Sequence, residues 1–171
     1  MHRHLKLIGL GVGLTAWAIV AGMRTHPATD LSSLQARASD TDVAIGTAQS
    51  PERLYTDSCA SCHQAQGQGR FPVFPPLAGS PWVNGDSDRL IALTLHGVSG
   101  PIDVNGVEYS GLMPGFAHLS DRELAAVLTY SRSAWGNRAP PVSESEVAAV
   151  RSATSRRRVP WSAAELGGRA P

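Results

Sequence analysis

Cysteine is scarce in this chain: of 171 residues only Cys59 and Cys62 carry thiols. With no third cysteine, a zinc site lacks the further ligands at short spacing that such sites use. Charge imbalance is lacking too, since the formal net charge is +1. That excludes a nucleic-acid binder working through a strongly basic surface. The small net value hides an uneven split. Residues 46–136 carry five basic and eight acidic groups, and residues 137–171 carry six and three. Of three methionines, only Met113 lies beyond residue 23.

What is present is concentrated. Cys59-Ala60-Ser61-Cys62-His63 is a C-x-x-C-H run, the spacing at which two thiols can add to the vinyl groups of one porphyrin while the histidine reaches the iron. A thioredoxin-like redox pair would need a βαβ setting. Here a helical stretch precedes Cys59 and a loop rich in Gly and Pro follows His63. One haem c, held covalently, is therefore expected, with both cysteines consumed and no disulfide left to form. Covalent attachment places the protein outside the cytoplasm.

The leader agrees with export. Basic residues Arg3 and Lys6 precede Leu7 to Met23, seventeen residues without a charge. This is the short end of a membrane span and also the pattern of a signal peptide with a long apolar core. Val20-Ala21-Gly22 is only a passable cleavage site, so residues 1–23 are expected to be an anchor with the remainder on the periplasmic side; cleavage would leave a soluble periplasmic protein. Residues 24–50 are polar without an apolar period and read as a flexible tether. As a coil they would span on the order of 30 Å.

A globular domain is expected over residues 51–136. Pro51 and Glu52 suit the first turn of a helix leading to Cys59. In Phe71-Pro72-Val73-Phe74-Pro75-Pro76 the rigid carbonyl of Pro75 is a suitable acceptor for the Nδ1–H of an iron-bound His63, the alternative being a merely stiff loop. A second helix is predicted from Asp86 to His96, ending at Gly97, with His96 structural. Asn105-Gly106 between β-branched residues predicts a tight hairpin, forming a flap over one side of the haem. The hairpin delivers Met113 on a Gly/Pro loop, where its sulfur becomes the candidate sixth ligand. Ser120-Asp121-Arg122-Glu123 is a capping box opening a helix to about Gly136 that should pack on the first.

Tyr55, the Cys59–His63 motif, Pro75-Pro76-Leu77-Ala78-Gly79, Met113-Pro114 and the helix with Tyr130 resemble a class I cytochrome c. The resemblance implies a mostly α fold around one covalent haem, with the small β-hairpin added. It implies Cys59 and Cys62 as thioether residues, His63 and Met113 as axial ligands, and Pro75, Leu77 and Trp82 beside the ring. Trp82 is either a propionate donor or a packed indole. Leu77 to Val83, Leu95 to Pro101 and Tyr130 to Asn137 are similar to a narrower group, cytochrome modules that accompany membrane-bound periplasmic dehydrogenases or respiratory oxidases.

Beyond Asn137 the resemblance thins. Ser143-Glu144-Ser145-Glu146 is another capping box and predicts an extra helix within a basic extension, residues 137–171. Arg156-Arg157-Arg158 is either a solvated, loosely packed end or a docking patch for an acidic partner or lipid headgroups. Closed axial sites imply a single-haem electron carrier, not an enzyme, on the periplasmic side of a bacterial inner membrane. Expected redox partners are a dehydrogenase or quinol-oxidising complex as donor and a terminal oxidase as acceptor. The alternatives are a fixed subunit of such a complex, or a haem enzyme or gas sensor with an open iron site.

Overall fold

The computed structural model describes residues 49–167. The anchor expected at residues 7–23 and nearly all of the tether lie outside the described residues. Among those described, no helix is long and apolar enough to cross a membrane.

Local signals start and stop most elements. Ser50 caps α1 (Pro51–Ser58), accepting from the Arg53 amide at 3.2 Å, and Pro51 fills the first turn. A single-turn helix, α2 (Ala60–His63), continues from Cys59. Ser80 caps the short α3 (Pro81–Asn84), and Asp86 caps α4 (Ser87–His96), whose chain leaves through Gly97 at φ 80. Strands β1 (Val98–Val104) and β2 (Val107–Met113) pair antiparallel from Val98↔Met113 to Val104↔Val107. Asn105 and Gly106 turn the hairpin with φ 57 and 79, the left-handed values a two-residue loop of this kind requires. The capping boxes at Ser120/Glu123 and Ser143/Glu146 both form, opening α5 (Asp121–Ser133) and α6 (Glu144–Ala153).

Two apolar clusters result. The larger joins Leu54 and Tyr55 of α1, Ile91 and Leu95 of α4, Leu124 and Leu128 of α5, and Val147 and Val150 of α6. The smaller gathers Trp82 and Leu93 with Val98, Ile102, Val104 and Tyr109 of the hairpin.

The extension from residue 137 differs from the loosely packed end that its composition allowed. Val142 and Val147 are buried in the main core. Arg151 bonds the Asp121 carboxylate at 2.6 Å and the carbonyls of Ala117 and Leu119. Trp161 then joins β1 at Val98 as a parallel bridge. Arg157 is equally committed: it bonds Glu165 at 3.0 Å and the carbonyls of Val159 and Pro160, and lies 3.4 Å over the Trp161 ring. The three arginines are therefore not one free basic patch, since the middle one fastens the chain to itself.

Candidate functional site

A cavity of about 400 Å³ lies between the two clusters, with Leu90, Val127 and Leu128 on one wall and Trp82, Leu93, Ile102 and Tyr109 on the other. Cys59, Cys62, His63, Pro75, Leu77 and Met113 all line it. Among the described residues, no aspartate, glutamate, lysine or arginine does.

The Cys59–His63 side is built by short-range geometry. Cys62 and His63 donate their amides to the Cys59 carbonyl at 3.2 and 2.9 Å, so both cysteines and the histidine belong to one tight turn. His63 is 7% exposed, and its Nδ1 lies 2.9 Å from the Pro75 carbonyl. Burial pulls its pKa below the usual imidazole value, and the Pro75 bond opposes this. A neutral ring with Nδ1–H given to Pro75 leaves the Nε2 lone pair to coordinate. Gly69 permits the return of this loop, because a Cβ there would collide with Phe74 and Pro75. Cys59 and Cys62 form no disulfide. Burial pushes the Cys59 thiol up to about 11, with Cys62 adding to the shift. An activated redox cysteine needs the opposite shift.

Tyr55 donates to the Gln64 carbonyl at 2.7 Å and packs against Trp135 and Tyr130, with ring centroids 4.7 and 5.6 Å away. A Cβ at Gly67 would enter the Trp135 ring, so the loop after His63 rests directly on that indole.

Elsewhere on the same cavity, Met113 ends β2 and is half-buried. Its carbonyl lies so close to Gly97 that any side chain there would collide with it. Phe116 donates its amide to the Thr94 carbonyl at 2.9 Å, fastening the Met113–Phe116 loop to the end of α4.

Trp82 lines the cavity with its ring, but its indole N–H donates to the Asp103 carbonyl at 2.7 Å. With the Arg89 guanidinium stacked 4.6 Å above it, the side chain has the geometry of the packed indole. His96 bonds Thr154 Oγ1 at 2.8 Å, in keeping with a structural role.

One residue that organises the site escaped the sequence reading. Asn137 is 4% exposed; its Oδ1 accepts from the Gly79 amide and from Asn84, both at 2.8 Å, and its Nδ2 donates to the carbonyls of Leu77 and Ser131. It ties the Leu77–Gly79 wall to the end of α5. In the sequence it figures only as the end of the Tyr130–Asn137 stretch, and an asparagine after Gly136 otherwise reads as an ordinary turn.

The donor set fits haem c. Two unpaired thiols, a neutral imidazole oriented by a carbonyl and a thioether share one cavity without a charged wall. A site for a bare metal ion is not found among the described residues, where no group of three His, Cys, Asp or Glu side chains is arranged to hold one.

Comparisons with known proteins agree. Residues 46–130 match the family described as cytochrome c oxidase, cbb3-type, subunit III. Cytochrome c-552 of Thermus thermophilus is 46% identical over 83 residues, 46% of this chain and 63% of that protein. The cytochrome c subunit of the quinone-dependent alcohol dehydrogenase of Gluconobacter oxydans is 38% identical over 110 residues, 62% of this chain and 23% of that protein. The cbb3-type oxidase subunit CcoP of Rhodobacter capsulatus is 33% identical over 98 residues, 57% and 31% respectively. The chain thus spans less than two thirds of each of these relatives.

Proposed function

Since this chain carries a c-type cytochrome domain across residues 46–130, we propose that it is a single-haem carrier moving one electron at a time in a periplasmic respiratory chain. The observation that supports this best is the juxtaposition of His63 and Met113 on one cavity, with the His63 proton already directed to Pro75. Cys59 and Cys62 would hold the ring through thioether bonds. His63 Nε2 and the Met113 sulfur would take the axial positions, and Pro75 would fix the imidazole. Haem c supplies one-electron iron chemistry when bound. Were His63 and Met113 both to hold the iron, no position would be left for oxygen or peroxide, and the domain would relay electrons without catalysing a reaction of its own.

The protein's surface suits brief contact with a redox partner. Phe71, Val73 and Leu112 are exposed to 75%, 52% and 65%; Val73 and Leu112 line the cavity, and Phe71 meets Tyr109 edge-on. A small apolar rim at the cavity mouth favours the low end of interface sizes, below about 1,200 Å². The donor would be a dehydrogenase or quinol-oxidising complex and the acceptor a terminal oxidase, with residues 7–23 anchoring the chain to the bacterial inner membrane.

In the ferric protein a far-red sulfur-to-iron absorption band is expected, absent in Met113→Ala. The ferrous wild type should not bind carbon monoxide. Carbon monoxide binding to untouched ferrous protein would favour an enzyme or sensor instead. The names of the dehydrogenase and oxidase relatives support a second reading, a fixed subunit. Salt-resistant co-purification with stoichiometric partners would select it over a mobile carrier.

A further inference from the structure

We propose that Trp161 is a positioning residue for Met113, acting through the Gly97–Ser99 backbone that lies between them; this rests on the reading of Met113 as an iron ligand. Val98 is paired on both sides. Across the hairpin its partner is Met113, and on its outer edge it bridges to Trp161. The Trp161 amide donates to the Gly97 carbonyl at 2.9 Å, and the Ser99 amide donates to the Trp161 carbonyl at 2.8 Å. The C-terminal strap thus supplies a third strand only at the rung that carries Met113.

That position matters because a two-stranded hairpin is marginally stable unless something else pairs or packs with it. A Cβ on Gly97 would collide with the Met113 carbonyl and one on Gly115 with the Leu95 carbonyl, so the two segments lie backbone against backbone and movement of Gly97–Val98 carries the Met113 segment with it. The strap is in turn fixed by Trp161 itself. Its indole N–H donates to the Ala92 carbonyl at 3.0 Å, the Arg157 guanidinium covers its face, and His96 meets it edge-on with centroids 6.4 Å apart. Leu166, a few residues on, packs against both apolar clusters. Loss of the indole frees the strap from β1. Local opening of the hairpin then becomes easier, without unfolding α1, α4 and α5.

The test uses ferric holoprotein and three variants. In Trp161→Ala, imidazole should displace the Met113 sulfur about tenfold faster, the change expected when roughly one hydrogen bond's worth of local stability is lost. Amide hydrogen exchange across β1 and β2 should accelerate alongside. Trp161→Phe, which keeps an aromatic ring against Arg157 but loses the bond to Ala92, should fall between the wild type and Trp161→Ala. Val147→Ala, a buried position in α6, should lower the melting temperature and leave displacement unchanged. Wild-type displacement in Trp161→Ala would overturn the proposal, as would equal acceleration in Val147→Ala. If the wild type shows no far-red band, the ligand reading of Met113 fails by itself. Hydrogen exchange of the hairpin still decides the strap's part, and an unchanged rate in Trp161→Ala overturns it.

Discussion

His63 and Met113 reach the same cavity from segments of unlike construction. His63 closes a one-turn helix whose bonds run within a few residues, and its proton goes to Pro75, twelve positions on. Met113 hangs from a hairpin, half-buried, placed by contacts with the end of α4 and backed by a strap from almost fifty residues away. Local turns close at little entropic cost, whereas contacts between distant segments hold only while the whole fold does. The nitrogen side is therefore set early and rigidly, and the sulfur side is the one that should yield first under strain.

The strongest way to break that comparison is to remove each candidate ligand in turn. His63→Ala should prevent formation of any low-spin haem protein, read by absorption spectra of the exported product. Met113→Ala should keep a covalently attached haem whose ferrous iron takes up carbon monoxide. Equal loss of haem in both variants would erase the asymmetry.

A smaller effect is expected at the joint between the Leu77–Gly79 wall and α5. Asn137→Ala strands the Gly79 amide and the Ser131 carbonyl, whereas Asn84 Nδ2 and the Leu77 carbonyl each keep a bond to Ser80. With buried unpaired groups costing about 1–3 kcal/mol each and partial relief by water, a loss of about 3 kcal/mol is expected in denaturant melts. Because this wall lies on the histidine side, the far-red band of the surviving folded protein should persist.

The smallest effect sharpens the contrast through pH. Glu123 begins α5 just after the Met113 loop, and bonds from the Ser120 hydroxyl and amide hold its carboxyl below the usual range; Ser143 does the same for Glu146. A carboxyl whose pKa is depressed by folding stabilises the fold above its unfolded value and loses that contribution as pH falls through the lower folded one. Glu123→Gln should flatten the acid limb of the stability profile below about pH 4.5. In the wild type, the far-red band should fade at a higher pH than the one at which the His63 bond to iron is lost.

Much of this organisation was legible beforehand, wherever a short run of residues carries its own instruction. Asp86 and the two capping boxes start helices because their side chains satisfy nearby amides, and Pro51 suits a first turn because no amide proton is needed there. Asn105-Gly106 makes its turn because few other pairs tolerate that backbone. Cys59–His63 and Pro75 could be read for the same reason, since their partners lie within a loop's length. The tail could not. Arg157 looked like part of a basic run, yet its guanidinium serves Glu165 and Trp161. Trp161 and Asn137 find partners 50 to 70 positions away, and the Trp82 donor finds Asp103 across the small cluster. Such pairings depend on how elements stack, which composition and periodicity do not encode.

The uncharged wall of the cavity has a further consequence. A carrier must accommodate a change of one unit of charge at its centre, and every nearby ion or loose dipole that has to swing in response slows the exchange. Around this chamber four polar groups are tethered already: the hydroxyls of Thr94 and Ser131 to their own helices, the indole of Trp82 to a carbonyl and the imidazole of His63 to another. With these four groups held, they would reorient little between the two oxidation states of a bound haem, and an electron would pass under a smaller driving force.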